Sequence, residues 1–221
     1  MAAAMSASAR PACLSSTCLS PPSSRGAHTA PWTSRVDVPH PCRGRNRFVP
    51  RAEASGDAPG VSLVAEPLTK EAFAPFGQIA RAEEDGVAFG PDDAQLDLSR
   101  GTPRFYIMRL RDKTMSFDTI TFHAQVTQCL GALGDQPWFM AVSAPTKDVE
   151  RFPKREDLKV FKIPPGVFVK MHAATWHAGP LWDAANGPGA MDFYNLELSD
   201  TNQVDHNCHA YEVPFKVVDE A

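Results

Sequence analysis

The stretch Ile163-Pro164-Pro165-Gly166-Val167-Phe168-Val169-Lys170-Met171-His172-Ala173-Ala174-Thr175-Trp176-His177 decides how this chain is read. A Pro-Pro-Gly turn feeds a short extended run, Val167–Met171, which delivers one histidine and, five residues on, a second. Working outward, the same grammar repeats. Arg104–Arg109, Phe117–Thr127, Trp138–Ser143, Leu158–Ile163 and Met191–Leu198 are rich in β-branched and aromatic residues and bounded by Gly, Pro, Asp or Asn. No stretch after residue 78 sustains a 3.6-residue apolar period. Upstream, Val61–Ala65 suits a first strand. Thr69 is placed to cap a brief helix with Glu71 in its first turn, ended by Pro75 and Gly77. Residues 81–102 hold Glu83, Glu84, Asp85, Asp92, Asp93 and Asp97 among Gly and Pro, the composition of a solvated loop. The expected fold is all-β, a sandwich or closed barrel with minor helix.

Charge divides the chain. Residues 1–51 contain seven Arg, no Lys and the single acid Asp37, a formal +6; with −4 overall, the remainder carries −10. The first 51 residues are rich in Ala and Ser, hold seven Pro, and have no apolar run long enough for a signal-peptide core or membrane span. Arg-rich, Ser-rich and acid-poor is the composition of an organelle transit peptide. The opening Met-Ala-Ala-Ala points to a plastid, with a mitochondrion as runner-up. Residues 1–55 are therefore expected to be a disordered leader and linker, and 60–221 the folded domain. Neither nucleic acid nor membrane is an expected partner, because the basic residues are dispersed and the acidic body would repel phosphate. Cys129 and Cys208, the two body cysteines, have no CxxC spacing and are expected as free thiols.

Five of the seven histidines lie in the body: His123, His172, His177, His206 and His209. An odd separation on a strand puts side chains on opposite faces. His172 and His177 therefore point into one interior only if the chain bends near 173–175; otherwise one of them faces away. In Phe122-His123-Ala124-Gln125-Val126-Thr127, alternation would place His123, Gln125 and Thr127 on one face, and the residues alone favour a solvent face over a lined cavity. Glu197 could complete a His/His/carboxylate set with His172 and His177, suited to a divalent metal with open positions, or be a paired structural acid. His206 and His209 read most simply as loop-ordering groups. No GxGxxG, GxxxxGK[ST], GxSxG or HExxH pattern occurs, so no nucleotide cofactor is expected.

Taken together, Val64-Ala65-Glu66-Pro67-Leu68-Thr69-Lys70-Glu71-Ala72-Phe73-Ala74-Pro75-Phe76-Gly77, Phe122-His123 followed by Val126-Thr127-Gln128, the Gly166–His177 segment and Asp192-Phe193 resemble the ureidoglycolate lyases, long called ureidoglycolate hydrolases. The similarity spans essentially all of 62–215 and looks nearest to the plant and algal branch. It implies a cupin-like (jelly-roll) barrel, a homodimer, and cleavage of the small-molecule substrate ureidoglycolate to glyoxylate and urea in allantoin (purine) catabolism. His123, His172 and His177 match histidines of the family's motifs and are carried over as catalytic candidates. Gln128, Lys170 and Arg109 are candidate substrate contacts, the two cations for the substrate carboxylate.

The implied chemistry needs a base for the hydroxyl proton and an acid for the departing urea nitrogen, roles open to a neutral and a protonated imidazole. A metal on His172, His177 and Glu197 could instead lower the hydroxyl pKa. The competing classes on the same barrel are a non-catalytic small-acid binding protein and a cupin enzyme acting on a related small carboxylate, such as a metal-dependent oxygenase or isomerase. Convergence of titratable groups in one pocket separates enzyme from binder.

Overall fold

The structure, a computed structural model, describes residues 61–146 and 151–220. The expected leader lies outside the described residues. Eleven strands and two short helices follow in order: β1 (Val61–Pro67), α1 (Lys70–Phe73), β2 (Gly77–Ala80), β3 (Pro103–Arg111), β4 (Ser116–Phe122), β5 (Cys129–Leu133), β6 (Trp138–Ser143), β7 (Lys159–Ile163), β8 (Phe168–Met171), β9 (Trp176–Leu181), β10 (Ala190–Leu198), α2 (Thr201–Val204) and β11 (Asn207–Val218). Six strands close into a barrel in the order β1-β11-β4-β9-β6-β7, and five form a second sheet, β2-β8-β5-β10-β3. Every ladder is antiparallel except those of β1, which runs parallel to β11 and to β7. This is the cupin-like β-barrel that the strand pattern and the resemblance imply.

Two apolar clusters explain the arrangement. β6 reads Trp-Phe-Met-Ala-Val-Ser and is buried at every position. One of its faces, Trp138, Met140 and Val142, packs with Leu130, Val169, Met171 and Phe193 of the five-stranded sheet. The other, Phe139 and Ala141, packs inside the barrel with Phe117, Trp176, Phe215 and Val217. A strand covered on both sides has no reason to alternate, and its sequence is a continuous apolar run. β10 is covered on one side only and alternates strictly in burial from Ala190 to Glu197.

Seven expected strands are present, with shifts at their ends; Phe117–Thr127 is shorter than expected, because β4 stops at Phe122. Four strands are additional. β9 contains Gly179-Pro180, joined by a cis peptide, and β11 contains Pro214, both of which read as strand breakers. In β11 the register shifts between Ala210 and Phe215, so Pro214 sits where no ladder bond is required. His209 accordingly lies in a strand, stacked on Phe152 with ring centroids 3.4 Å apart, and is not a loop residue. Thr69 caps α1 as expected, accepting from the Ala72 amide at 3.1 Å, and 81–102 has no regular element. Gly166 supplies the left-handed turn of Pro-Pro-Gly at φ 74°. Gly77 lets β2 lie against β8: a Cβ there would run into the Lys170 carbonyl. The thiol expectation holds for Cys129, which is free, and not for Cys208, which is disulfide-bonded.

Phe193 is fully buried, with its ring 5.3 Å from Trp138 and 6.1 Å from Trp182. Phe193→Ala is expected to lose about 3–5 kcal/mol of stability in guanidinium unfolding. A loss below about 1 kcal/mol would contradict the packing described.

Candidate active site

His177 enters the molecule through strand parity. On β9, Trp176 and Ala178 face the interior of the closed barrel, so His177 faces the other way. Its cross-strand partners are Thr121 on β4 and Val142 on β6, and Val142 belongs to the core between the two sheets. His123 follows the last residue of β4, where the chain turns. Alternation does not continue: His123 and Thr127 are buried while Gln125 is exposed, so the solvent-face reading is corrected to an interior one. The two rings lie with centroids 5.3 Å apart, and His206 comes within 5.7 Å of His123.

Backbone carbonyls fix both imidazoles. The Nδ1 of His123 is 2.6 Å from the Asp205 carbonyl, and the Nδ1 of His177 is 3.1 Å from that of Thr175. A carbonyl oxygen can only accept, so each Nδ1 carries the hydrogen and each neutral ring presents an Nε2 lone pair. The His177 lone pair is 3.4 Å from the Thr121 hydroxyl, too long for a firm bond. Burial, and then the neighbouring His123, pushes His177 down to about 3. Burial likewise lowers His123, the Asp205 carbonyl bond partly opposing it. Near neutrality both are unprotonated, so each Nε2 lone pair is free to accept a proton, as a weaker base than a solvated imidazole. The division into one neutral and one protonated imidazole is not what these surroundings favour.

Asp205 performs the ordering expected of its neighbouring histidines. While its carbonyl holds His123, its carboxylate accepts from the amides of Ala124 and Gln125 at 2.9 and 2.8 Å. The same segment is stitched to the β8–β9 connection by Ala174 N to His123 O at 2.6 Å and Met171 N to Gln128 O at 2.8 Å. Ala174 adopts φ 68°, a left-handed value uncommon outside glycine, to make that turn. The expected bend near 173–175 therefore exists. It does not bring His172 to His177.

His172 and Lys170 share the face of β8 opposite Val169 and Met171, which belong to the inter-sheet core. The His172 Nε2–H donates to the Ala74 carbonyl at 3.3 Å, and its Nδ1 accepts from Lys170 Nζ at 3.2 Å. Both ring nitrogens are thus occupied. Lys170 is only 3% exposed; burial lowers its pKa and raises its neighbour Cys129 to about 11. Arg109 stands outside: its side chain is 60% exposed and makes a bidentate pair with Asp192 at 2.7 Å.

Glu197 and Asn195 occupy inward positions of β10 in line with Met191 and Phe193. Glu197 accepts from Gln128 Nε2 at 2.9 Å and Asn202 Nδ2 at 3.2 Å, with Arg104 at 3.7 Å. Gln128 Nε2 also reaches Asn195 Oδ1 at 3.3 Å, and Asn195 donates to the Tyr106 hydroxyl at 2.9 Å. Glu197 thus belongs to an amide network and does not gather with His172 and His177. Among the described residues no three His, Cys, Asp or Glu side chains are grouped to hold a metal ion. His172, His177 and Glu197, held apart, do not fit a metal as a donor set.

A cavity of about 420 Å³ reaches His177 and is lined also by Thr119, Thr121, Ser116, His206 and Lys113. Lys113 is the one Lys or Arg side chain among its described lining residues, and nothing in its sequence context marked it. A larger cavity of about 670 Å³, bordered by Phe76, Pro145, Lys154 and Trp176, has no histidine among its described lining residues.

A buried, unprotonated imidazole bordering a cavity that also offers a cation and hydroxyls, with a second imidazole beside it, defines a small-molecule enzyme on a cupin-like barrel. The family description of ureidoglycolate lyase matches residues 61–218, and the chain belongs to that family, whose members act on ureidoglycolate. Comparison with individual curated proteins gives no match.

The buried imidazoles also govern acid stability. Unfolded, His177 titrates near its ordinary 6.5; folded, near 3. Between these values the unfolded chain binds a proton that the folded chain does not, so stability is complete above about pH 6.5 and is lost as pH falls. Guanidinium unfolding should show this slope, up to about 1.4 kcal/mol per pH unit for one such proton, and a shallower one in His177→Gln. An equal slope in the variant would contradict the burial of a neutral His177.

Proposed function

We propose that the chain splits ureidoglycolate into glyoxylate and urea with His177 and His123 as the proton-handling groups. The observation that carries this is the pair of rings pinned through Nδ1, each with its Nε2 lone pair unprotonated. Ureidoglycolate carries its hydroxyl and its urea nitrogen on one carbon. An imidazole Nε2 takes the hydroxyl proton, the oxygen's electrons form the aldehyde C=O, and the C–N bond breaks. The imidazolium then returns the proton to the urea nitrogen. One ring can serve first as base and then as acid, so no protonated partner is needed at rest. The cleavage is redox-neutral and calls for no nucleotide. Lys113, on the cavity that reaches His177, is the cation we assign to the substrate carboxylate, in place of Arg109 and Lys170.

The wider setting is proposed on sequence grounds. A place in purine catabolism follows from the substrate, and a plastid address from the composition of residues 1–51. A homodimer follows from the resemblance, and the exposed Phe105 and Ile107 on edge strand β3 are compatible with a covered sheet face.

The full chain is expected to release glyoxylate and urea in equal amounts from ureidoglycolate, at a rate unaffected by a chelator. His177→Ala should lower kcat/KM by about 10²–10⁴-fold, Lys113→Ala should raise KM, and Arg109→Ala should stay within about twofold of the parent, in keeping with an exposed ion pair. Near-parental kcat/KM in a folded His177→Ala protein would refute the assignment. Ammonia in place of urea would indicate hydrolysis at the amide carbon, and no product from a folded chain would favour a binding barrel.

A further inference from the structure

The Gln128 side chain is pinned in one orientation. Its amide nitrogen donates to Glu197 Oε2 at 2.9 Å and faces Asn195 Oδ1 at 3.3 Å. Both partners are acceptors at those atoms, so the NH2 must face them. The carbonyl oxygen, Oε1, is then left buried with no hydrogen-bond partner among the described residues, in a residue that is 8% exposed. A buried acceptor left unmet is costly, and such groups in native proteins normally have a partner in protein, water or ligand.

Ladder pairing puts the group that holds this acceptor on the same side of the sheets as His177. Asn195 is the cross-strand partner of Leu130, which pairs in turn with Val169. Both belong to the apolar cluster that contains Val142, and Val142 is the cross-strand partner of His177. Directly opposed residues in a ladder share a face. Asn195 therefore faces the same inter-sheet interior as His177, and Gln128 Nε2 is held against it.

The chemistry of the wall selects what can meet it. The two Gln128 amide hydrogens are spent on Glu197 and Asn195, and Asn195 itself donates to Tyr106, leaving the Gln128 carbonyl as an acceptor beside a buried acid. A substrate carboxylate is repelled there, and the substrate hydroxyl is committed to an imidazole. The remaining end of the molecule is an N–H donor. We propose that Gln128, braced by Glu197 and Asn195, is the subsite that reads the ureido NH2 group. This inference rests on the lyase reading above, deepening it to a specificity-determining residue.

Two uncleavable ligands isolate the contact: ureidoacetate, which lacks the hydroxyl, and N-acetylglycine, in which a methyl also replaces the terminal NH2. Calorimetry on the full chain should find ureidoacetate bound at least about tenfold more tightly. In Gln128→Met, checked for folding by its thermal midpoint, that ratio should collapse to within about twofold, with N-acetylglycine binding unchanged. Equal binding of the two ligands by the parent chain, binding of neither, or a preserved ratio in folded Gln128→Met would each overturn the proposal. Should the variant not fold, the parent ratio decides alone. Turnover of ureidoglycolate in the same preparation separates the two readings. Turnover without the ligand preference sinks the subsite and spares the lyase; the preference without turnover does the reverse.

Discussion

Two hydrogen bonds from imidazole Nδ1 to a main-chain carbonyl, His123 to Asp205 and His177 to Thr175, are the constraint on which the rest of this site depends. They choose the tautomer, and burial chooses the charge. Together these turn two ordinary histidines into neutral groups with an unprotonated nitrogen aimed away from the backbone. Much of the local architecture serves to hold those carbonyls still. The left-handed Ala174 turns the chain between β8 and β9 and ties it to His123. The Asp205 carboxylate grips the amides of 124 and 125 while its carbonyl grips the ring. A residue that holds the ring through its carbonyl and the chain just after it through its carboxylate is the kind of support a proton-handling group requires.

The interior between the sheets is divided accordingly. One part is closed by Trp138, Met140, Phe193 and Trp182 and supplies the burial that stabilises the fold. The other places Asn195, Glu197 and Gln128 at positions an ordinary core would fill with aliphatic side chains. Burying such groups is unfavourable unless they are satisfied, and here they satisfy one another through a chain of oriented amides. The exception is Gln128 Oε1, which is buried without a partner among the described residues.

Much of this was legible in the residues. Short β-rich runs separated by turn residues gave the all-β barrel, and Thr69 announced its helix cap. The limits are equally physical. Pro180 and Pro214 disguised β9 and β11, because register shifts at 178–181 and 210–215 accommodate a proline that a regular central ladder would not. His123 and His177 stood out by their motifs, and strand parity warned that one of His172 and His177 would face away unless the chain bent. The Met191-x-Phe193-x-Asn195-x-Glu197 alternation marked two polar residues on an apolar face, a signal available before any coordinates. Asp205 could not be found this way, since its part in holding His123 is played by its carbonyl, which every residue has. Nor could Lys113, because which lysine reaches a cavity depends on how the β3–β4 turn folds over it.

The proposed cleavage depends most directly on the protonation state of two rings. Nitrogen-15 spectra of the imidazoles in the full chain at pH 7 and pH 5, without substrate, would read it. His123 and His177 should both appear as neutral Nδ1–H tautomers at pH 7, and His177 should remain so at pH 5. An imidazolium signal from either ring at pH 7, or an Nε2–H tautomer, would remove the proton acceptor on which the proposed cleavage depends.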